Sequence, residues 1–312
     1  MDTTAKARTE PEPAPAPAPA PRVLIVSSVR NEGAHITRVA DALAAQRPQP
    51  TRWIVIDDGS TDDTVAQLET VRERLSFLTL LRAPAQAEGA RDRLAQAVEA
   101  CNFNLALAQA GPTESYTHIM KLDGDIELPP DYLRTLLERF AADPHLGLAG
   151  GVLAEPTGEG KLRHIRVPPH HVHGALKCWT NPCFTAIGGV SERLGWDTID
   201  ETYARMRGFH TCNFTDLVCV HHRPLASADG ALRGHARHGE CAYIVHYTPT
   251  WVTLRAVKVA GRRPRGLSGM AFMWGYVSAA VRGVPRVQDP DFRSFTRREL
   301  RARMLPRVGM AR

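Results

Sequence analysis

The 312-residue sequence has little of several features that would place it in a specialised class of protein. It has no apolar run of about eighteen residues, the length that would predict a transmembrane helix. Its six cysteines form no CxxC pair, and no apolar segment typical of a secretory signal peptide is found near the start. Reduced, buried thiols are therefore favoured over disulfides or zinc ligands. There is also no internal repeat, so the expected class is a globular protein with a large core.

Composition divides the chain into three parts. Residues 1–21 contain the alternating stretch PEPAPAPAPAP, which cannot bury a core and predicts a disordered tail that leans towards polyproline II. Residues 22–250 are expected to form one α/β domain, and residues 251–312 a basic helical extension. From Arg255 to Arg312 there are fourteen Lys and Arg against three Asp and Glu, a local charge of +11 in a chain of net charge +6. This charge predicts that the extension contacts an anionic surface.

The extension also contains an apolar run of sixteen residues, Gly266 to Val281, with basic clusters on both sides. A basic-flanked apolar helix of this length is typical of a segment that lies in the membrane interface. The alternative is a helix that packs on the sheet of the domain. No nucleic-acid partner is expected, because interleaved aromatic residues and nucleic-acid-binding motifs are missing. The predicted location is cytoplasmic, with peripheral contact at the inner face of the membrane.

Three short apolar runs end in acidic or amide-bearing turns. Val23–Ser28 leads into VRNEG, Arg52–Ile56 into DDGSTDDT, and Tyr116–Leu122 into Asp-Gly-Asp. Each run is typical of a buried strand, and helices are predicted after the turns, over Asp63–Arg74 and Tyr132–Ala142. This order predicts an α/β fold with a mostly parallel sheet. Because open α/β sheets bind ligands at the carboxyl ends of their strands, the turns predict a site.

Asp123 and Asp125 lie two residues apart, directly after the third apolar run. Two hard oxygen donors with Gly124 between them suit Mg²⁺ or Mn²⁺ that carries a substrate diphosphate. The alternative is a solvated Asp-Gly-Asp turn, a common surface feature. The acidic turns after the other two strands favour the metal site.

Four motifs together resemble the family-2 glycosyltransferases, whose nucleotide-sugar-binding domain has the GT-A fold. They are VRNEG, IDDGSTDDT, LDGDIELPPDYL and GWDTIDETYARMRGF, in the family's order within residues 22–225. The resemblance implies a Rossmann-like central sheet flanked by helices, here with a helical C-terminal extension. It also implies a metal-dependent, inverting transfer of a sugar from a nucleotide-diphosphate donor. The acceptor would be a hydroxyl of a saccharide, a glycolipid or a natural product.

For the nucleotide, the resemblance implies that Ser28 and Asp58 contact the base. A carboxylate that accepts the N–H of a pyrimidine favours UDP over a purine nucleotide. Asp57 is expected to brace its loop through backbone N–H groups. Glu32 is predicted either to reach the ribose or to cap the next helix. Arg91 lies near the position of the family's diphosphate- or ribose-facing arginine, with a solvated helix residue as the alternative.

For the leaving diphosphate, the resemblance implies that Asp125 binds the metal and that Asp123 contacts the ribose or supports the metal ligand. After a later apolar strand, His221 or His222 is predicted to complete the metal site. Side chains alternate along a strand, so only one of the two can face the metal. Arg223 follows them and is predicted to clamp phosphate with two hydrogen bonds.

For deprotonation of the acceptor, the family has an acidic pair eleven residues before a glycine that ends a helix. Counting back from Gly208 gives Asp197 as the predicted general base, with Asp200 and Glu201 as substitutes. The preceding residue is Trp196, where the family commonly has Glu, so the chain departs from the pattern there. Trp196 is predicted to stack on the acceptor sugar, with simple packing as the alternative.

A histidine-rich loop, PPHHVHG, contains His170, His171 and His173. Its composition resembles a metal site, but no predicted strand or helix fixes it. A flexible loop on the acceptor side is therefore the prediction.

Two other functions remain as alternatives. A sugar-1-phosphate nucleotidyltransferase has a related sheet, but it places a Gly-rich phosphate loop with Arg and Lys after the first strand, and SSVRNEGAH lacks that loop. The other alternative is a non-catalytic protein that binds membrane or nucleic acid through the basic C-terminus. Acidic residues in three separate loops argue against it.

Overall fold

The structure is a computed structural model that describes residues 20–84, 97–157, 160–223, 230–262 and 264–304. Arg91 and most of the predicted tail over residues 1–21 lie outside the described residues. The strands are β1 (Val23–Val29), β2 (Arg52–Asp57), β3 (Leu78–Arg82), β4 (His118–Leu122), β5 (Ile126–Glu127), β6 (Leu146–Pro156), β7 (Leu162–His164), β8 (Leu176–Thr180) and β9 (His210–His221). The helices are α1 (Ile36–Ala44), α2 (Thr64–Arg74), α3 (Val98–Ala110), α4 (Tyr132–Ala142), α5 (Asn181–Ile187), α6 (Trp196–Met206), α7 (Ala231–Ile244), α8 (Pro249–Ala260), α9 (Leu267–Val281) and α10 (Pro290–Met304).

The strands form one mixed sheet in the order β3-β2-β1-β4-β8-β6-β9-β5, with β7 paired to β6. Strands β1 to β4 pair in parallel, as the alternation of strands and helices predicts. Strand β8 is antiparallel to both β4 and β6, so the sheet is less uniformly parallel than predicted. The predicted α/β fold class is confirmed, and the helix predicted over Tyr132–Ala142 has those bounds.

Helices cover both faces of the sheet, which explains why its first strands are apolar throughout. Along β1, Val23 and Ile25 belong to one buried cluster, whereas Leu24 and Val26 belong to another on the opposite face. Each of these four side chains is at most 1% exposed. With both faces buried in this way, polar side chains are left to the turns at the carboxyl ends of the strands.

Helices α7 to α10 form a layer beyond the sheet. A Cβ atom on Gly239 of α7 would overlap the carbonyl oxygen of Phe272 in α9, so the two helices approach closely. The predicted boundary after residue 250 falls inside this layer, because α7 precedes it. The apolar run Gly266–Val281 contains α9, whose main contacts among the described residues are with α7 and α8. Within the described ranges, no helix has both the length and the apolar character needed to cross a bilayer.

Candidate active site

A cavity of about 270 Å³ opens where β1, β2 and β4 end, and we call it the donor cavity after the donor site predicted from the sequence. Its wall unites six of the residues predicted for the nucleotide and the metal. The Ser28 hydroxyl in this wall accepts a hydrogen bond from Asn102 Nδ2 at 3.0 Å. The six predicted residues are Ser28, Glu32, Asp58, Asp123, Asp125 and Arg223, and the wall also contains Val29, Arg30, Val98, Glu99 and Gly124.

The turns after β1 and β2 hold each other in place beside this cavity. The Ser60 N–H donates to Asp57 Oδ1 at 3.1 Å, so Asp57 braces its own loop. The Glu32 N–H donates to Thr64 Oγ1 at 2.8 Å, which joins the first turn to the start of α2. Asp57 is not among the residues that line the donor cavity.

Glu32 and Arg223 form an ion pair in the cavity wall, with 2.8 Å between Glu32 Oε2 and Arg223 Nη2. Burial, together with the nearby Asp125 carboxylate, raises the pKa of Glu32 to about 8, although Arg223 opposes this rise. At the start of α1, His35 and Ile36 donate to the backbone carbonyl of Glu32. No side chain caps this helix, and Glu32 lines the cavity.

Asp125 faces His221, with 3.3 Å between Asp125 Oδ2 and His221 Nε2, and each residue is 6% exposed. Burial alone would raise the pKa of Asp125, but the hydrogen bond and charge of His221, with Arg223, lower it. His222 points elsewhere, since its Nε2 lies 2.8 Å from Glu127 Oε2. Of the two histidines predicted as metal ligands, the structure brings only His221 to Asp125, which agrees with alternation along β9.

The side chains beside the cavity can be compared with the ligands that a divalent metal ion requires. Among the described residues, no group of three His, Cys, Asp or Glu side chains is arranged to hold a metal ion by itself. Mg²⁺ and similar ions commonly use one or two protein carboxylates and complete their coordination with water and substrate phosphates. Asp125 and His221 fit an ion of that kind, and oxygens of a substrate diphosphate would complete its coordination. They do not fit a site made by protein alone.

A buried lysine, Lys121, lies behind Asp123 and pairs with both Asp123 and Glu99. Burial alone would lower the pKa of Lys121, but the two carboxylates outweigh it and raise that pKa. Burial also raises the pKa of Asp123, against the opposing charge of Lys121. Neither Glu99 nor the role of Lys121 was predicted from the sequence. The available signal was a lysine inside an apolar strand, where charge needs a partner.

The predicted base, Asp197, lies in the first turn of α6, is partly exposed, and does not line the donor cavity. A short backbone segment connects the two places. The Ala175 carbonyl oxygen accepts the Asp123 N–H at 2.9 Å. A Cβ atom on the neighbouring Gly174 would lie 3.3 Å from the Cβ atom of Asp197. The same segment therefore contacts the Asp-Gly-Asp turn and the predicted base.

Asp200 and Glu201, the predicted substitutes for that base, are each 2% exposed. Lys177 Nζ lies 3.0 Å from Asp200 Oδ1 and 3.3 Å from Glu201 Oε1. Glu201 also accepts the Val172 N–H at 2.8 Å and lies 3.1 Å from His171 Nδ1. Both carboxylates are thus already held by a lysine, and Glu201 also by an N–H group and a histidine. The structure therefore places both residues against internal partners, and their role as substitutes for the base stays a prediction.

Trp196 is 8% exposed and belongs to the apolar core. Its ring centre lies 5.6 Å from Lys121 Nζ and 5.3 Å from Lys177 Nζ, distances at which the ring face attracts a cation. Little of the ring is left for a sugar. The packing alternative therefore fits better than the predicted stacking on an acceptor.

The histidine-rich loop is held in place, in contrast to the predicted flexibility. Thr211 Oγ1 donates to the His170 carbonyl oxygen at 2.7 Å, and the Asn213 N–H donates to the Pro169 carbonyl oxygen at 2.7 Å. The Val172 N–H is bound by Glu201 of α6. These contacts place the loop against the helix that carries Asp197.

Three solved structures share this fold and include nucleotide-sugar complexes. The first is mannosyltransferase PcManGT from Pyrobaculum calidifontis in complex with GDP-Man and Mn²⁺, with a TM-score of 0.53 and 18% identity over 93% of this chain and 87% of that chain. The second is S. aureus TarS 1-349 in complex with UDP-GlcNAc, with a TM-score of 0.51 and 15% identity over 86% of this chain and 74% of that chain. The third is GalNAc-T7 with UDP, GalNAc and Mn²⁺, with a TM-score of 0.54 and 10% identity over 83% of this chain and 56% of that chain. At these identities the likeness shows the fold alone.

Sequence comparison supplies the family. No curated protein matches the chain. Residues 24–193, more than half of the 312, match the family model described as Glycosyl transferase family 2. The matched residues include the turns that form the donor cavity. The chain therefore belongs to glycosyltransferase family 2 and has the GT-A fold of its structural neighbours.

Proposed function

We propose that the protein is an inverting hexosyltransferase that uses a nucleotide-diphosphate sugar, with UDP as the nucleotide. The observation that carries this proposal is the donor cavity, where side chains from three strand ends meet. Family membership supports the sugar transfer. The carboxylates in the cavity wall can hold a divalent cation, which supports a diphosphate donor. The acceptor is a hydroxyl of a saccharide, a glycolipid or a natural product.

In this proposal the donor nucleotide binds along the carboxyl ends of β1 and β2. Ser28 and Asp58 contact the base, and the Asp58 carboxylate accepts the N–H of the pyrimidine. Asp123 contacts the ribose, in an orientation that Lys121 holds from behind. Arg223 binds the diphosphate, which suits the planar, multidentate guanidinium group.

Asp125 and His221 would hold Mg²⁺ or Mn²⁺ together with oxygens of the diphosphate. A divalent ion at this position would neutralise the charge of the departing diphosphate and fix its orientation. The low pKa of Asp125 keeps its carboxylate anionic at neutral pH, the form that such an ion requires.

Asp197 takes the proton of the acceptor hydroxyl in this mechanism. The hydroxyl oxygen forms a bond to the anomeric carbon while the bond from that carbon to the diphosphate oxygen breaks. Attack in line with the leaving group inverts the anomeric centre, so an α-linked donor gives a β-linked product. Asp200 and Glu201 shape α6 through Lys177 and take no part in the proton transfer.

We also propose that the helical extension docks peripherally on the anionic inner face of a membrane, with the catalytic domain in the cytoplasm. Every third or fourth residue on one face of α9 is apolar and exposed, with Met270 68%, Trp274 68% and Val281 83% exposed. Residues 241–288 contain seven Lys and Arg and no Asp or Glu. An apolar helix face within a purely cationic segment suits an interfacial contact with anionic lipid.

A donor screen tests the proposed function. The melting temperature of the full chain is measured with UDP-, GDP- and ADP-sugars, each with Mn²⁺ and with EDTA. Binding to the native state alone raises the melting temperature, so UDP-sugars with Mn²⁺ should give the largest rise. No rise with any nucleotide sugar would contradict the proposal.

A further inference from the structure

A second cavity, of about 320 Å³, lies between α6, α8 and α10, apart from the donor cavity. None of its lining residues takes part in the proposed binding of the donor. The wall is cationic and aromatic. It contains Arg205, Arg255, Lys258 and Arg303, with the rings of Tyr247 and Trp251.

The positive charge of this wall is only partly compensated by carboxylates. Arg205 and Arg303 share Glu299, at 2.7 and 2.9 Å, and Arg205 also lies 3.8 Å from Glu201. Neither Arg255 nor Lys258 has a carboxylate within ion-pair distance among the described residues. The wall therefore carries an excess of positive charge, and it attracts anions.

The single carboxylate among the described residues of this wall does not change that balance. Glu201 is already bound by Lys177 at 3.3 Å and by His171 at 3.1 Å. Burial, with the charges of Arg303 and Arg205, lowers the pKa of His170 to about 4.

The cavity adjoins the proposed general base. Thr198, which lines the cavity, directly follows Asp197 in the first turn of α6. His171, also in the wall, belongs to the loop whose Gly174 packs against Asp197. A ligand in this cavity therefore lies beside the group that takes the acceptor proton, and away from the donor diphosphate.

We propose that this cavity binds a phosphate-type oxyanion carried by the acceptor. The proposal rests on the proposed function, since it assigns the second substrate of the same reaction. Arg303 presents a guanidinium group that matches phosphate oxygens, Arg205 adds positive charge behind it while Glu299 holds its Nε and Nη2, and Lys258 and Arg255 add positive charge at the rim. Leu254 lines the same cavity and is 57% exposed, so the source is either a lipid-linked phosphate or a soluble sugar phosphate.

Calorimetric titration of the full chain with inorganic pyrophosphate tests the site. EDTA is present throughout, because it removes the ion on which diphosphate binding in the donor cavity depends. Wild type is compared with Arg255→Gln/Lys258→Gln, and with Arg262→Gln/Arg265→Gln as a control that removes the same charge from the same segment outside the cavity. We expect binding at least about tenfold weaker in the cavity variant and within about twofold in the control, because only the cavity variant removes charged hydrogen-bond donors from the oxyanion.

If the affinity for pyrophosphate falls equally in both variants, binding depends only on the overall positive charge of the segment, and the proposal is overturned. So would a wild type that does not bind pyrophosphate at millimolar concentration. Competition by dodecyl phosphate and by glucose 6-phosphate then separates the two sources, since the ester that resembles the natural ligand should displace pyrophosphate at the lower concentration. Stabilisation by UDP with Mn²⁺ should be equal in all three proteins. If UDP fails to stabilise wild type, the proposed function fails while the affinity of this cavity for pyrophosphate still stands.

Discussion

Lys121 and Lys177 lie directly opposite each other on the antiparallel strands β4 and β8, and both are buried, at 2% and 0% exposure. Like charges at opposed positions of a sheet destabilise it unless each has its own partner. The charge of Lys121 is balanced by Asp123 beside the donor cavity, and the charge of Lys177 is balanced by Asp200 of α6. The ring of Trp196 lies close to both ammonium groups, at 5.6 and 5.3 Å. These two ionic clusters thus join the Asp-Gly-Asp turn to the helix of the proposed base.

Replacement of Lys121 by Met should destabilise the protein strongly. The change leaves Asp123 and Glu99, which are 28% and 31% exposed, without their buried partner, so the cost should lie between about 1 kcal/mol for an exposed pair and about 3–5 kcal/mol for a buried one. Urea denaturation measures the free energy of unfolding, with Lys161→Met on the exposed surface as the control. A destabilisation below about 1 kcal/mol, within the range of exposed pairs, would show that the cluster is not a stabilising unit.

Asp197→Asn should lower kcat by about 10²–10⁴, the usual effect of losing a general base. The affinity for the donor nucleotide should change by no more than a few-fold, because Asp197 does not line the donor cavity. Steady-state kinetics and UDP titration separate the two effects, with the exposed Asp131→Asn as the control. Near-wild-type turnover by the Asp197→Asn protein would remove Asp197 from the role of base.

The stability of wild type relative to Glu32→Gln should depend on pH in a defined direction. The pKa of Glu32 is raised to about 8 in the folded protein from about 4.5 in the unfolded chain, so between these values the folded state binds more protons. The free energy of unfolding that Glu32 contributes therefore falls as pH rises from about 5 to 8. Urea denaturation at pH 5, 6.5 and 8 should show Glu32→Gln gaining stability relative to wild type. A difference that stays constant across this range would contradict the assignment.

Membrane docking should depend on the exposed face of α9. Met270→Ser/Trp274→Ser should weaken co-sedimentation with anionic vesicles, because both side chains are 68% exposed and apolar. High salt should also weaken binding, since attraction to lipid charge is screened within about 8–10 Å.

Leu162→Ser, which changes an exposed apolar residue of β7, is the control for the docking experiment. Truncation near Thr250 is less suitable, because it would remove the helix on which α7 packs. Equal binding by the variant and wild type would exclude this face as the docking surface.

The elements that follow from local patterns were predicted well. Apolar runs such as Arg52–Ile56 are strands because both faces of the sheet are covered, and Pro129 and Pro130 mark the start of the helix at Tyr132. Carboxylates at strand ends were expected to meet, and the strand order confirms that they do. These features depend on residues that are close in sequence.

Features that depend on long-range pairing were not predicted. Strand β8 inserts antiparallel between β4 and β6, and only that register brings Lys177 opposite Lys121. The same insertion buries Glu201 under the histidine-rich loop, so a carboxylate that looked available in the sequence has internal partners. A lysine in an apolar strand signals a buried ion pair, but the sequence does not name its partner.

The most direct test of the account is metal-dependent binding of UDP in wild type and in Asp125→Asn. Asp41→Asn, an exposed residue of α1 paired with Arg74, serves as the control. We expect UDP to raise the melting temperature of wild type and of the control only when Mn²⁺ or Mg²⁺ is present. We expect no such rise in Asp125→Asn. If UDP stabilises Asp125→Asn in EDTA as well as it stabilises wild type with Mn²⁺, the donor cavity does not bind the nucleotide through a metal ion held by Asp125.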